Sequence, residues 1–260
     1  MDAAVDLDDV EDQLVPTLDT KPTLVFVHGA FSDGASWSAT VEHLGDHCAY
    51  RIFANPLRGV TGDGAALAAL IQSIDGPIVL IGHSSGGALL TEVGCATEAI
   101  KALVFVAALA PEEGESFSEL AARFPGSDLA AALTPALLAD GSAELYVPED
   151  CYGPVLAGDL SPADVLALAR RQRPAHQAAL RDPVGKPAWR TLPCWFIYGD
   201  ADRSLPPALH EFMAHRAGAV GVEVIAGGSH SVHVSHPQRV MRFIERAAMA
   251  AEYPVPNLDP

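Results

Sequence analysis

The chain is 260 residues long, 49% hydrophobic and 19% charged, enough apolar material for one large core or two small ones. A formal net charge of −17 argues against nucleic acid and anionic membrane surfaces as partners. No apolar stretch reaches the length of a membrane span, so no membrane partner is expected and a cytoplasmic protein is the default.

Part of the acidic excess sits in Met1 to Asp12, which has no basic residue and no long apolar run. That pattern is not a secretory signal peptide, and residues 1–20 read as a solvated, disordered acidic tail. Residues 251–260 read as a second tail, leaving 21–250 as a single domain. Cys48, Cys95, Cys151 and Cys194 form no C-x-x-C pair, and buried free thiols are expected rather than a disulfide framework.

Six short runs rich in Val, Ile and Phe recur: Thr23–Val27, Tyr50–Ala54, Ile78–Ile81, Ala102–Ala107, Cys194–Tyr198 and Val222–Ile225. They are almost continuously apolar rather than alternating, as strands covered on both faces must be. Helical stretches such as Gly64–Ile74 and Ala88–Thr97 lie between them. Strand–helix alternation predicts an α/β fold with a mostly parallel sheet and right-handed crossovers.

The first run ends in His28-Gly29-Ala30-Phe31 and continues to Trp37. Gly29 permits a tight turn at the sheet's end, so the following N–H of Ala30 can aim at a substrate. His28 is expected to hold that turn by hydrogen bonds. Phe31 and Trp37 are candidates for a pocket wall or for packing against the first helix.

The third run breaks at Gly82-His83-Ser84-Ser85-Gly86-Gly87 and passes into a helix-forming segment. A strand, a sharp turn and a helix around Gly-x-Ser-x-Gly lift the Ser84 hydroxyl above the end of a sheet, beside a helix N-terminus. A serine hydroxyl is a poor nucleophile at neutral pH. It needs a histidine to take its proton and a carboxylate to orient that histidine. The N–H groups of Ser85 and Ala30 are the expected oxyanion donors.

Between Ala110 and Cys194 lie roughly eighty residues without a clear strand, too long for one crossover. Leu-rich patches at Leu129–Leu138 and Pro162–Arg171 predict helices, and residues 111–190 read as a helical cap over the strand ends. Past the next run, Asp200 and Asp202 both follow a strand's C-terminal end and compete for the role of acid. Past the last run come His230, His233 and His236, with a final helix expected over Pro237–Ala247. His230 lies directly after the Gly227-Gly228 turn and is the expected base. Three histidines at this spacing suggest a metal site. No H-E-x-x-H motif accompanies them and a serine nucleophile needs no metal, so neither metal nor cofactor is expected.

Taken together, His28-Gly29-Ala30…Trp37, Asn55-Pro56-Leu57-Arg58-Gly59 and Gly82–Gly87 resemble the α/β-hydrolase superfamily, in particular small bacterial and plant serine esterases. The resemblance runs from about Thr23 to Ala247. The family's Gly-x-x-Asp-x-x-x-Pro falls on Gly199, Asp202 and Pro206, which favours Asp202 over Asp200. Its Gly-Ser-His falls on His230, and Ser84, Asp202, His230 is the superfamily's order. The position after the nucleophile, often bulky in relatives, is Ser85 here. Related hydroxynitrile lyases carry threonine and lysine where this chain has Gly29 and Ser231, which disfavours lyase chemistry. The resemblance implies hydrolysis of a small carboxylic ester or lactone through an acyl-enzyme. The competing reading is a ligand-binding or receptor-like α/β-hydrolase with weak turnover.

Overall fold

The computed structural model describes residues 21–45 and 48–252. The expected tail at residues 1–20, and nearly all of the one at 251–260, lie outside the described residues.

The first half of the chain runs β1 (Thr23–Val27), a 3-10 turn (Gly34–Trp37), α1 (Ser38–Val41), β2 (Tyr50–Phe53), α2 (Val60–Gln72), β3 (Ile78–His83), α3 (Gly86–Val93) and β4 (Ile100–Val106). Next come α4 (Phe117–Ala121), α5 (Leu129–Ala132), β5 (Thr134–Leu137), β6 (Ala143–Tyr146), α6 (Glu149–Leu156), α7 (Pro162–Arg171), β7 (Ala175–His176) and α8 (Gln177–Arg181). The chain then continues through β8 (Cys194–Gly199), α9 (Pro207–Arg216), β9 (Gly221–Ile225), α10 (Val232–Ser235) and α11 (Pro237–Glu252).

The central sheet has six strands in the order β2-β1-β3-β4-β8-β9, and every pairing is parallel. All six expected runs are its strands. Side chains alternate across it. Val25, Val27, Leu80, Leu103 and Phe105 enter one core, while Leu24, Phe26, Val79, Ile81 and Val104 enter the other. Helices therefore cover both faces, α2, α3 and α9 on the first and α1 and α11 on the second. In α11, Pro237 pre-sets the first turn, and Val240, Met241, Ile244, Ala247 and Ala248 recur at helical spacing to fill the second core.

Strand order reverses between β1 and β3: from β1 the chain moves outward to β2, then returns past β1 to β3. Loops diverge at such a switch point and leave a crevice beyond the strands' C-terminal ends. Ser84 and the His28–Phe31 turn both sit there.

The segment between β4 and β8 differs from expectation. It holds five helices but also a three-stranded antiparallel sheet, β5-β6-β7, so it is not a purely helical cap. The helix expected over Leu129–Leu138 stops at Ala132. Leu133 turns extended at φ −64° and ψ 130°, and Thr134–Leu137 is a strand. Pro135 is the physical reason: proline drives the preceding residue out of the helical region and supplies no N–H to a helix. A proline is tolerated in β5 because β5 pairs on one side alone. The helix expected over Pro162–Arg171 forms as read, with Ser161 accepting from the Asp164 N–H and Pro162 in the first turn.

Among the described residues no disulfide links the four cysteines, and only Cys194 is buried; Cys95 is exposed. No helix among the described residues is long and apolar enough to cross a membrane.

Candidate active site

Ser84 follows β3 directly with φ 53°, in the left-handed region that a residue with a Cβ rarely adopts. The surroundings hold it there. Its N–H donates to the Ala107 carbonyl at 3.2 Å, and its own carbonyl accepts from Leu109 at 3.2 Å and Gly87 at 3.1 Å. Close approach favours glycine at two positions. A Cβ on Gly29 would stand 2.6 Å from Ser84 Cβ, and one on Gly87 2.1 Å from the Leu109 carbonyl oxygen.

Asp202, in the loop after β8, is 2% exposed and carries four hydrogen bonds. Its Oδ1 accepts from the N–H groups of Ser204 and Leu205, both at 2.8 Å. Its Oδ2 meets His230 Nδ1 at 2.8 Å and His210 Nε2 at 3.2 Å. Burial alone raises a carboxyl. Here the charge of His230 and the hydrogen bonds from both imidazoles outweigh burial and hold Asp202 below the usual carboxylate range. An ionised carboxylate only accepts, so both facing ring nitrogens donate. In its neutral form His230 then carries its proton on Nδ1 and a lone pair on Nε2, which is buried and has no hydrogen-bond partner among the described residues. Asp200 is exposed and accepts from the Gly227 N–H at 2.6 Å, so the structure brings Asp202 and not Asp200 to His230.

His210 was not singled out in the sequence. It lies eight residues past Asp202 on α9, 1% exposed and stacked on Tyr198 at 4.7 Å. The available signal was a histidine within the buried stripe Leu209, Met213 and Ala214.

The other histidines separate by environment. His28 uses both ring nitrogens on the backbone: Nδ1 donates to the Gly29 carbonyl at 3.0 Å, and Nε2 accepts from the Asn55 N–H at 3.1 Å. It ties the turn after β1 to the segment after β2. His83 Nε2 donates to the His230 carbonyl at 3.1 Å. His233 packs on His83 with ring centroids 4.1 Å apart, and neither of its nitrogens has a partner. Burial, followed by the nearby His230, pushes His233 down to about 3, so it is neutral. His236 lies apart, near Ser235 and Asp159.

Trp37 is fully buried against Phe26 at 5.1 Å and His233 at 4.7 Å. That corrects its candidacy for a pocket wall: it packs behind His83, in the core on the α11 side of the sheet. Phe31 packs in the opposite core at φ 60°, and its carbonyl accepts from the Tyr152 hydroxyl of α6 at 2.9 Å. No local sequence signal marks Tyr152. Ala30 is buried, and its N–H donates to Ser85 Oγ at 2.9 Å.

Access is tight. The cavity beside His230, lined by Ala30, His83, Tyr152, Leu156 and Leu168, measures about 10 Å³, roughly one water-sized sphere. A larger hollow of about 740 Å³ lies against α6 and α7 and touches none of Ser84, Asp202 or His230.

A model described as "Alpha/beta hydrolase family" matches residues 24–243. No curated protein matches the sequence. Among solved structures, the chain is similar to polyneuridine aldehyde esterase, with a TM-score of 0.71 at 19% identity, covering 87% of this chain and 99% of that one. The pyrethroid hydrolase PytH gives 0.70 at 19% identity over 89% and 99%. The methylesterase protein MES16 from Arabidopsis gives 0.71 at 18% identity over 88% and 99%. At such identities the likeness speaks for the fold.

Proposed function

From the premise that this chain belongs to the alpha/beta hydrolase family, we propose that it is a serine hydrolase cleaving a small carboxylic ester or lactone through an acyl-enzyme. The observation that carries this reading is the buried Asp202–His230 pair, which leaves an unpartnered lone pair on His230 Nε2 at the sheet edge that presents Ser84. Ser84 Oγ bonds to the carbonyl carbon as its proton passes to Nε2. The carbonyl's π pair moves to oxygen, for which the Ser85 N–H is a donor, while the Ala30 N–H is held on Ser85 Oγ. Collapse expels the alcohol with the proton from His230. Water, deprotonated by His230, then releases the acid. Asp202 keeps the required tautomer. The three similar structures, an esterase, a pyrethroid hydrolase and a methylesterase, agree in kind with this reaction. No cofactor enters any step.

The segment 111–190 is proposed as the lid. With about 10 Å³ beside His230, substrate enters only when α6 moves from Phe31.

The test is turnover of short p-nitrophenyl esters and lactones by the full chain, with labelling by a fluorophosphonate. Wild type should turn over and label, and Ser84→Ala should do neither. Equal inactivity of both proteins across ester chain lengths and lactones overturns the proposal.

A further inference from the structure

Ser85 departs from the bulky residue expected after the nucleophile, and its side chain occupies a specific place. Its Oγ lies 2.9 Å from the N of Ala30 and accepts that N–H, one of the two expected oxyanion donors. The residue is 5% exposed. A hydroxyl has one donor and two lone pairs. With one lone pair taken, the Ser85 O–H has no acceptor among the described residues. Its backbone N–H opens α3, whose first-turn amides have no intrahelical acceptor.

We propose that the Ser85 hydroxyl is itself an oxyanion donor, polarised by the Ala30 N–H behind it, so that Ser85 contributes both its amide and its side chain to the oxyanion site. The inference rests on the serine-hydrolase reading above.

Three physical arguments carry it. Ser85 Oγ stands 2.9 Å from Ala30 N, in the place that an oxyanion bound by that N–H would take. Because the Ala30 N–H already has an acceptor, an incoming oxygen meets the O–H more readily than it displaces the hydroxyl. A buried O–H without an acceptor is costly in the resting enzyme and is satisfied when charge develops on the carbonyl oxygen. Such a contact strengthens toward the transition state and therefore acts on kcat. The chain Ala30 N–H to Ser85 O–H to oxyanion aligns two dipoles on one charge, each strengthening the other. When Ser84 Oγ adds to the carbonyl carbon, the π pair placed on oxygen is met by the Ser85 proton in a hydrogen bond. No proton is transferred from Ser85, so the balance of the step is unchanged.

The experiment measures kcat and KM for one p-nitrophenyl ester with wild type, Ser85→Ala, Ser85→Cys and Ser84→Ala. Removal of one oxyanion donor lowers kcat by about 10²–10³-fold. Ser85→Ala is expected in that range with KM changed less than about threefold. Ser85→Cys, nearly isosteric and a weak donor, should also be slowed, which keeps the test open if the alanine variant folds poorly. A kcat at or above wild type in either folded variant, or a loss confined to KM, overturns the proposal and makes the hydroxyl a plug or a spectator. Ser84→Ala separates the two readings. If it still turns over, the serine-hydrolase reading fails. If it is inactive while both Ser85 variants run at full kcat, only the Ser85 proposal fails.

Discussion

The C-terminal edge of the central sheet and the insertion over it are built on opposite terms. At the edge, backbone geometry dictates residue type: Ser84 sits at φ 53°, and Cβ atoms on Gly29 and Gly87 would collide with neighbours. In the insertion, strands of four, four and two residues pair half-exposed, with Leu137 80% exposed. Below it, Leu120, Val147, Leu156, Ala175 and Leu180 are buried in the core that holds Val25 and Leu80, and polar contacts such as Tyr152 to Phe31 and Arg171 to Asp33 add to that packing. Over-determined geometry concentrates at the edge, whereas the insertion's own small sheet leaves residue type freer.

A pair of glycine substitutions draws the contrast most sharply. Gly87→Ala should cost about 3 kcal/mol or more in urea unfolding, because its Cβ meets a backbone oxygen at 2.1 Å. Gly141→Ala, in the insertion, has nothing within 4 Å and meets only the strain of φ +84°, about 1–2 kcal/mol. Similar losses at both sites would erase the proposed difference between the layers.

Changes at the two aspartates act on catalysis rather than on stability. Asp202→Asn should lower kcat about 10⁴-fold through the wrong histidine tautomer. Asp200→Asn should stay within about twofold of wild type, its carboxylate being exposed and bonded only to the turn at Gly227. Steady-state kinetics on a p-nitrophenyl ester decides. If the two variants ranked the other way, Asp202 would not orient the base.

This pair also marks what was legible in the sequence. Six strands could be read because parallel strands buried on both faces are nearly uninterrupted apolar runs, and the turns at Gly29 and Gly82–Gly87 because their glycines stand too close to neighbours for a Cβ without a shift. The choice between Asp200 and Asp202 came from a motif rather than spacing, since either follows β8 at a plausible distance. For His210 the sequence offers only its place in a buried stripe, because its contact with Asp202 depends on the turn that starts α9 at Pro207. The small sheet of the insertion was missed because β5 is Thr-Pro-Ala-Leu and β6 Ala-Glu-Leu-Tyr, with little β-branched content and no clear alternation. Their pairing is decided by tertiary packing, which a linear reading does not contain.

The buried histidine layer behind the site should show in the pH dependence of stability. His233 is held neutral at about 3, while an unfolded histidine titrates near 6.5. The unfolded chain therefore binds the extra proton as pH falls from about 6.5, and the stabilising contribution present above that pH is lost progressively toward 3. His83, lowered mainly by burial and then by His233, acts with the same sign. Facing them are Trp37, His28 and His230 with its partner Asp202. Thermal melts should thus weaken between pH 6.5 and 4, and His233→Phe should flatten that slope without abolishing it. An unchanged slope would mean that His233 is already charged in the folded protein.

The smallest expected effects lie where the insertion meets the edge. Tyr152→Phe removes the hydroxyl bonded to the Phe31 carbonyl, a buried contact worth about 1 kcal/mol, with a further penalty for leaving that carbonyl unpaired. Because Phe31 follows Ala30 directly, this variant should lower kcat several-fold as well as Tm. Arg171→Ala removes an ion pair whose side chains are 46% and 28% exposed, so its stability loss should stay below about 1 kcal/mol and shrink further in 0.5 M salt. Its KM is the sharper readout. If closing the insertion opposes entry, loosening it at Asp33 should speed association and leave kcat untouched, whereas Tyr152→Phe should change kcat because it acts on the turn at Ala30 and Phe31. Two contacts of the same layer on the same loop would then separate, one governing access and the other alignment. If both variants changed only Tm, the insertion would be a passive cover.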